Sequence, residues 1–325
     1  MRRREFITFL GGATAWPVAA RAQPGGMPVI GFLGSTSAPG FAPLVDAFRK
    51  GLGEAGYVEG RNVIVEYRWA EDHYERLPML AAELVQRRVD MIFASGPPAA
   101  IAAKAATSTI PVVFVVGFDP VGAGLVASLS RPGGNLTGMY LYIGGLVAKK
   151  LELLHEMAPD VDRFAVVVNS AGPGAKLDSG EIETASHAGT QPPASVMNAS
   201  TDAEIDTVFA DLAARKTAAV IGTDTFYFAH RAHLVTMAAR KRVPAIYYAR
   251  EFVTVGGLMS YGANIPDINR QAGVYAARVL NGDKPAEMPV QQPTKFEFVI
   301  NLKTAEALGL RVPLTLQVAA DEVIE

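Results

Sequence analysis

From Met27 onward, short apolar runs rich in valine, isoleucine and phenylalanine alternate with alanine- and leucine-rich segments at helical spacing. "VIGFLGS" (29–35) reads as a strand buried on both faces, because its apolar residues are continuous rather than alternating. "FAPLVDAFRKGLGEAGY" follows, with Leu44, Val45, Phe48, Leu52 and Ala55 on one helical face and Gly56 as a stop. Strand "NVIVEYRWA", helix "RLPMLAAELVQR", strand "VDMIFASG", helix "PAAIAAKAAT" and strand "PVVFVVGFD" continue the series. A second series begins near Gly145 with helix "LVAKKLELLHEM" and strand "RFAVVVNS". After a poorly patterned stretch it resumes with strand "ASVMNAS", helix "AEIDTVFADLAAR", strand "AAVIGTD", helix "HRAHLVTMAARK" and strand "PAIYYA".

Strand–helix–strand runs with continuously apolar strands predict parallel sheets covered on both faces. Two such series predict an α/β chain of two doubly wound parallel-sheet lobes. The tail adds strand "GGLMSYGA", helix "PDINRQAGVYAARVLNG", strand "KFEFVIN", a short helix "TAEALGL" and an extended end. One such unit is too small for a third domain, so it is expected to add to the two sheets. The chain would then cross between lobes three times, at "GNLTGMYLY" (134–142), "SYGANIP" (260–266) and "QQPTKFEF" (291–298), and such crossovers make a hinge. The expected N-terminal lobe is 27–139 plus about 263–294, and the C-terminal lobe 140–262 plus about 295–325.

Composition narrows the function. Half of the 325 residues are hydrophobic and 19% are charged, enough apolar material for two cores. A net charge of −2 gives no basic surface, so no nucleic-acid partner is expected. The chain has no cysteine, which excludes disulfides, thiolate metal sites and cysteine nucleophiles. The start, "MRRREFITFLGGATAWPVAARAQ", has three arginines, a modest apolar run from Phe6 to Ala15, and a small-x-small site at Ala20-Arg21-Ala22. That order is an export signal, too short for a membrane span, and Arg3-Arg4-Glu5-Phe6-Ile7 has a twin-arginine look. Cleavage is expected after about Ala22. Removing 1–22 takes away four arginines and one glutamate, leaving 26 basic against 31 acidic side chains and a net charge of −5. The expected product is a mildly acidic periplasmic protein and a monomer.

Candidate chemistry gathers where each apolar run ends. In open parallel sheets, ligands bind beyond the carboxyl ends of the strands. Ser35, Thr36 and Ser37 follow the first run; Ser95 and Gly96 follow "VDMIFA"; Asp119 follows Phe118. Asn169 follows "RFAVVV"; Thr223 and Asp224 follow "AAVIG"; Arg250 and Glu251 follow "PAIYYA". Serine, aspartate and asparagine are also the usual helix caps, and Asp119-Pro120 in particular has the form of a helix start. Only the repetition of the pattern in both halves favours a ligand site. No phosphate loop, dinucleotide fingerprint or nucleophile elbow is present, so no cofactor is expected and no enzyme. His230 and His233 are three apart with no third ligand apparent, which reads as a solvated helix face rather than a metal pair.

Four stretches carry a resemblance: "IGFLGSTS" with the following "FRKGLGEAGYVEGRNV"; "PVVFVVGFDPVGAGLVASLSRPGGNLTG"; "REFVTVGGLMSYG"; and "MPVQQPTKFEFVINLKTAEALGL". Over nearly the whole mature length the chain resembles the periplasmic substrate-binding proteins of ABC importers, in the branch related to tryptophan/tyrosine-type receptors. The resemblance implies two α/β lobes of the type I periplasmic-binding kind, a small-molecule ligand closed between them, and delivery to a membrane permease. It places Ser35, Ser37, Ser95, the Gly96-Pro97-Pro98 turn, Asp119, Asn169, Asp224, Arg250, Glu251 and Tyr261 at or near the cleft. It departs at 169–196, where glycines and prolines interrupt the helix expected after Asn169.

On this reading Arg250 holds a ligand carboxylate through its planar fork, Asp224 or Asp119 meets an ammonium, and Phe118, Phe226 or Tyr261 offers a stacking surface. The bland reading of Arg250-Glu251 is a surface ion pair worth under about 1 kcal/mol. The alternatives to a transport receptor are a ligand-sensing domain of the same fold or an exported enzyme.

Overall fold

The computed structural model describes residues 26–141, 146–172 and 194–325. The first sheet is built from β1 (Val29–Gly34), β2 (Ile64–Trp69), β3 (Met91–Ser95), β4 (Val112–Val116) and β5 (Leu136–Tyr140). All its pairings are parallel, in the order β2-β1-β3-β4-β5. Every residue of β3, β4 and β5 is buried, as continuous apolar runs require in a sheet covered on both faces. "LTGMY" is therefore a fifth strand, where the sequence pattern read a crossover.

Helices α1 (Ala38–Glu54), α2 (Leu77–Gln86) and α3 (Pro97–Ala106) connect these strands. Of the predicted stripe on α1, Leu44, Val45, Phe48 and Leu52 are buried, with Phe41 beside them, while Ala55 is half-buried just past the helix end. Asp119-Pro120 opens a series of turns and not a helix.

The second sheet contains β6 (Arg163–Val168), β7 (Ala194–Asn198), β8 (Thr217–Ile221), β9 (Ala245–Tyr247), β10 (Met259–Ala263), β11 (Phe296–Asn301) and β12 (Glu322–Ile324). Its order is β12-β11-β10-β9-β8-β6-β7. Parallel pairing holds from β7 to β10, but β11 runs antiparallel to β10 and carries β12 parallel to itself. The extended end expected from sequence thus holds a short helix, Leu314–Ala319, and an edge strand. Helices α4 (Val147–Met157), α5 (Asp202–Ala214), α6 (Thr225–Ala229), α7 (Arg231–Lys241) and α8 (Arg250–Thr254) belong to this part of the chain. The short helix α8 opens on the Arg-Glu pair, where the sequence showed only a strand end followed by glycines.

The long helix after β10, α9 (Ile265–Leu280), leaves the second sheet and packs on α1 and on β3, β4 and β5 of the first. Close approach there depends on Gly51, since a Cβ at that position would lie 1.8 Å from the Arg270 carbonyl oxygen. After α9 the chain stays with the first sheet. Thr137 Oγ1 donates to Met288 O at 2.7 Å, and Tyr140 N donates to Gln291 O at 2.8 Å. It returns to the second sheet at Phe296. The chain therefore passes between the sheets after Leu141, between Ala263 and Ile265, and between Gln291 and Phe296. Two buried clusters lie on the outer sides of the sheets, and a third runs continuously from α1 and β1 to α6 and α7.

Candidate functional site

The carboxyl ends of β3 and β4 face those of β8 and β9 across a cavity between the two sheets. The first sheet and α1 supply Phe41, Leu44, Ser95, Gly96, Val115 and Leu141 to its wall. The other sheet supplies Thr223, Asp224, Thr225, Phe228 and Tyr248, and the start of α9 adds Ile265 and Asn269. Most of this wall is apolar or aromatic, with a few polar groups set into it.

Asp224 is the charged member. It caps α6, with Oδ1 accepting from Phe226 N at 2.8 Å. The same oxygen accepts from Asn169 Nδ2 at 2.9 Å and from Tyr74 Oη at 3.1 Å. Tyr74 comes from a 3-10 turn of the first lobe, so this last bond crosses the cleft. Tyr248 Oη donates to the Asp224 carbonyl at 2.8 Å and fixes the backbone. Asp224 keeps some exposure as a residue, yet its carboxyl sits deep among protein atoms, and that burial raises its pKa against the lowering effect of its three donors. All three donors are neutral. No lysine or arginine lines the cavity among the described residues.

Gly96 shows how closely the lobes approach. Its φ is +96°, and a Cβ there would lie 2.4 Å from Thr225 Cγ2 of the opposite lobe. Ser35 Oγ donates to Ser95 O at 3.2 Å beneath this turn. Thr36 Oγ1 and Thr223 Oγ1 are buried without a partner among the described residues, so Thr223 holds an unspent hydroxyl on the cavity wall. Phe41 and Phe228 meet edge-on across the cleft with ring centroids 5.7 Å apart.

The predicted site residues divide sharply. Ser95, Gly96, Thr223 and Asp224 line the cavity, while Asn169 and Ser35 bond to members of its wall. Thr36 is buried at the end of β1, and Ser37 stands at the start of α1 without a side-chain capping bond. Asp119 accepts from Val121 N at 2.9 Å and closes a local turn, neither capping a helix nor lining the cavity. Phe118 is buried in the outer core of the first sheet, and Tyr261 packs between Phe296 and Phe298 in the second.

Arg250 is held by the chain's end: Nη2 meets Glu322 Oε2 at 2.7 Å, with the two side chains 34% and 43% exposed. It is a surface ion pair, but with Glu322 and not with its neighbour. Glu251 is largely buried, with Oε2 unpartnered among the described residues and its pKa raised by burial, and it is not part of the cavity wall. Phe226 stacks on His230 rather than lining the cavity, and Phe228 does the lining. His230 is no solvated helix residue, since Asp72 and Asp202 flank it. Of the departure at 169–196, residues 173–193 lie outside the described residues.

The sequence reading missed Tyr74, Phe41, Phe228, Tyr248 and Asn269. Phe41 opened a predicted helix outside its named stripe and Phe228 fell between a predicted strand and helix, and no local pattern separates an aromatic facing a cavity from one facing a core.

Two α/β lobes, connected by three strands of chain and presenting polar strand ends to a shared cavity, define the type I periplasmic-binding-protein fold. The profile of the ABC transporter substrate binding protein family matches residues 30–324, and the chain belongs to that family. A tyrosine-binding protein of Clostridioides difficile (strain R20291) is 27% identical over 273 residues, 83% of this chain and 78% of that protein. An ABC domain from Streptococcus pneumonia, solved in complex with L-Trp, is 26% identical, with a TM-score of 0.82 over 92% of this chain and 100% of that one. The ligand-free, open structure of a substrate binding protein with adhesive properties from Clostridium difficile is also 26% identical. It covers 92% of this chain and 99% of its own, yet its TM-score is 0.63. At equal identity and coverage, the conformation of this chain is nearer the tryptophan-bound structure than the open one. The family and these neighbours are binding proteins.

Proposed function

We propose that the chain captures an aromatic amino acid, or a small amine of similar shape, in the cavity between its lobes and presents it to the membrane permease of an ABC importer. The observation that carries this reading is Asp224. A carboxylate set deep in the protein and met only by neutral donors lacks a countercharge, and a ligand ammonium supplies one. The apolar and aromatic wall around Phe41 and Phe228 takes the ligand's side chain. Thr223 and Ser95 offer hydroxyls to its carboxylate, a role moved here from Arg250. The tryptophan complex and the tyrosine-binding relative support the same ligand class.

Capture works by closure. The open form exposes both walls, and a ligand that touches both lobes binds only the closed form, so its differential affinity sets the shift. The lobes are taken as 26–141 with about 264–291, and 146–263 with about 296–325, with the three connections as the hinge. The protein acts outside the cytoplasm as a monomer, after loss of its leader.

Titration calorimetry of the purified mature chain against tryptophan, tyrosine and phenylalanine, with aspartate and lysine as contrasts, tests the proposal. Tight binding confined to the aromatic set is expected. Binding of none of the three, or preference for a ligand without an amine, overturns it.

A further inference from the structure

We propose that His230 is the latch of the cleft, carrying a proton between Asp72 of the first lobe and Asp202 of its own lobe, so that the closed form weakens as pH rises. This rests on the reading that the lobes open and close, and it concerns residues outside the cavity wall.

The geometry carries it. His230 lies between α6 and α7, with one ring face against Phe226 at a centroid distance of 4.3 Å. Its Nδ1 is 2.7 Å from Asp202 Oδ1, and its Nε2 is 3.2 Å from Asp72 Oδ2. Both ring nitrogens therefore face carboxylate oxygens. A neutral imidazole has one N–H and sets a lone pair against the other oxygen; only the imidazolium donates to both.

The first lobe presents Asp72 through a strained loop. Glu71 and Asp72 have φ of +54° and +63°, two successive left-handed residues, of which aspartate takes the conformation more readily than glutamate. Here the Glu71 and Asp72 amides donate to the Thr36 and Ser35 carbonyls. Asp72 Oδ1 is buried without a partner among the described residues, so the cross-lobe bond to His230 is made by its other oxygen.

The remaining charges nearby do not substitute for the latch. Arg231 spends Nη1 on the carbonyls of Gly40 and Phe228, and Asp206 is taken by His233 at 2.8 Å. Glu71 is exposed beside Asp72 and makes no ion pair with His230.

The pKa of His230 is raised, first by the hydrogen bond to Asp72, then, against the opposing effect of burial, by the charges of Asp202 and Asp72. Asp72 belongs to the other lobe, so its share is lost on opening. The closed form thus has the higher pKa and binds the proton more tightly. Its advantage is complete below the open-form pKa and disappears as pH rises through the closed-form value.

The chain has no cysteine, so cysteines introduced at the exposed Met79 of α2 and Ala210 of α5 take spin labels uniquely. Distance distributions of the ligand-free mature chain are recorded from about pH 5.5 to 8.5, the range over which histidine titrates. The closed-to-open ratio is expected to fall about fivefold as pH rises, the scale of one partly exposed ion pair. Both His230→Gln and Asp72→Asn are expected to flatten that profile. A wild-type profile without pH dependence, or one that both variants retain, overturns the latch. A chain that responds to pH through His230 but to no aromatic amino acid keeps the latch and overturns the ligand reading instead.

Discussion

Replacing Asp224 with asparagine separates its charge from its other work. Asparagine caps a helix about as well as aspartate. Its carbonyl oxygen takes the place of Oδ1, so the bonds from Phe226 N, Asn169 Nδ2 and Tyr74 Oη at 2.8, 2.9 and 3.1 Å are all available to the variant. The variant loses only the negative charge that a ligand ammonium would meet. A hydrogen bond between charged partners is worth about 1.5–3 kcal/mol, so the dissociation constant for an aromatic amino acid should rise roughly 10- to 150-fold.

Without ligand, the same substitution should change the acid side of the stability curve in a known direction. Burial raises the Asp224 pKa in the folded chain, so the unfolded chain loses this proton first. Its contribution to stability is present below the ordinary carboxylate pKa and is lost as pH rises from there through the raised value. Asp224→Asn removes that loss, and thermal melts across the acid range should show a flatter profile than wild type. Calorimetry measures the affinity, and circular dichroism confirms that the fold is intact. An affinity within about twofold of wild type in a well-folded variant, well short of a charged hydrogen bond, would refute the assignment of the ammonium to Asp224.

Tyr74→Phe deletes one cross-cleft bond to the Asp224 carboxylate, worth about 1.5–3 kcal/mol, so ligand affinity should weaken by up to roughly 10- to 150-fold; an unaltered dissociation constant would show that the bond does not support closure. Arg250→Ala should leave ligand affinity unchanged and cost about 1 kcal/mol of stability or less, because Arg250 and Glu322 pair at the partly exposed surface away from the cavity; weaker binding in calorimetry would restore Arg250 to the site. Gly51→Ala gains helix propensity of about 1 kcal/mol, but its Cβ would meet the Arg270 carbonyl oxygen at 1.8 Å. Overpacking against backbone should outweigh that gain and lower the melting temperature, and a more stable variant would contradict the packing of α1 on α9.

The repeated strand–helix pattern was legible because each element depends on residues next to one another in the chain. Continuous runs such as "MIFAS" and "VVFVV" can be buried only between two layers, and they became β3 and β4. "LTGMY" escaped, since a threonine and a glycine interrupt its apolar run, yet pairing with β4 buries every residue of it. The rule that ligands gather beyond strand ends pointed to Ser95, Thr223 and Asp224. It failed for Asp119 and Arg250, which spend their polar atoms on a local turn and on Glu322. Sequence position alone does not distinguish a strand end that faces a partner lobe from one that faces solvent.

By itself, then, the chain's order of residues determined most of the strands and long helices, the two-series α/β architecture and a short set of polar strand tips. Tertiary structure alone decided which tips meet. Tyr74 reaches Asp224 across 150 residues of sequence, and Asp72 reaches His230 across 158. The antiparallel turn of β11 against β10 likewise depends on where α9 returns the chain. Periodicity is set by covalent neighbours and can be read along one dimension. A contact between lobes depends on how the two sheets are oriented to one another, and no local run of residues encodes that angle.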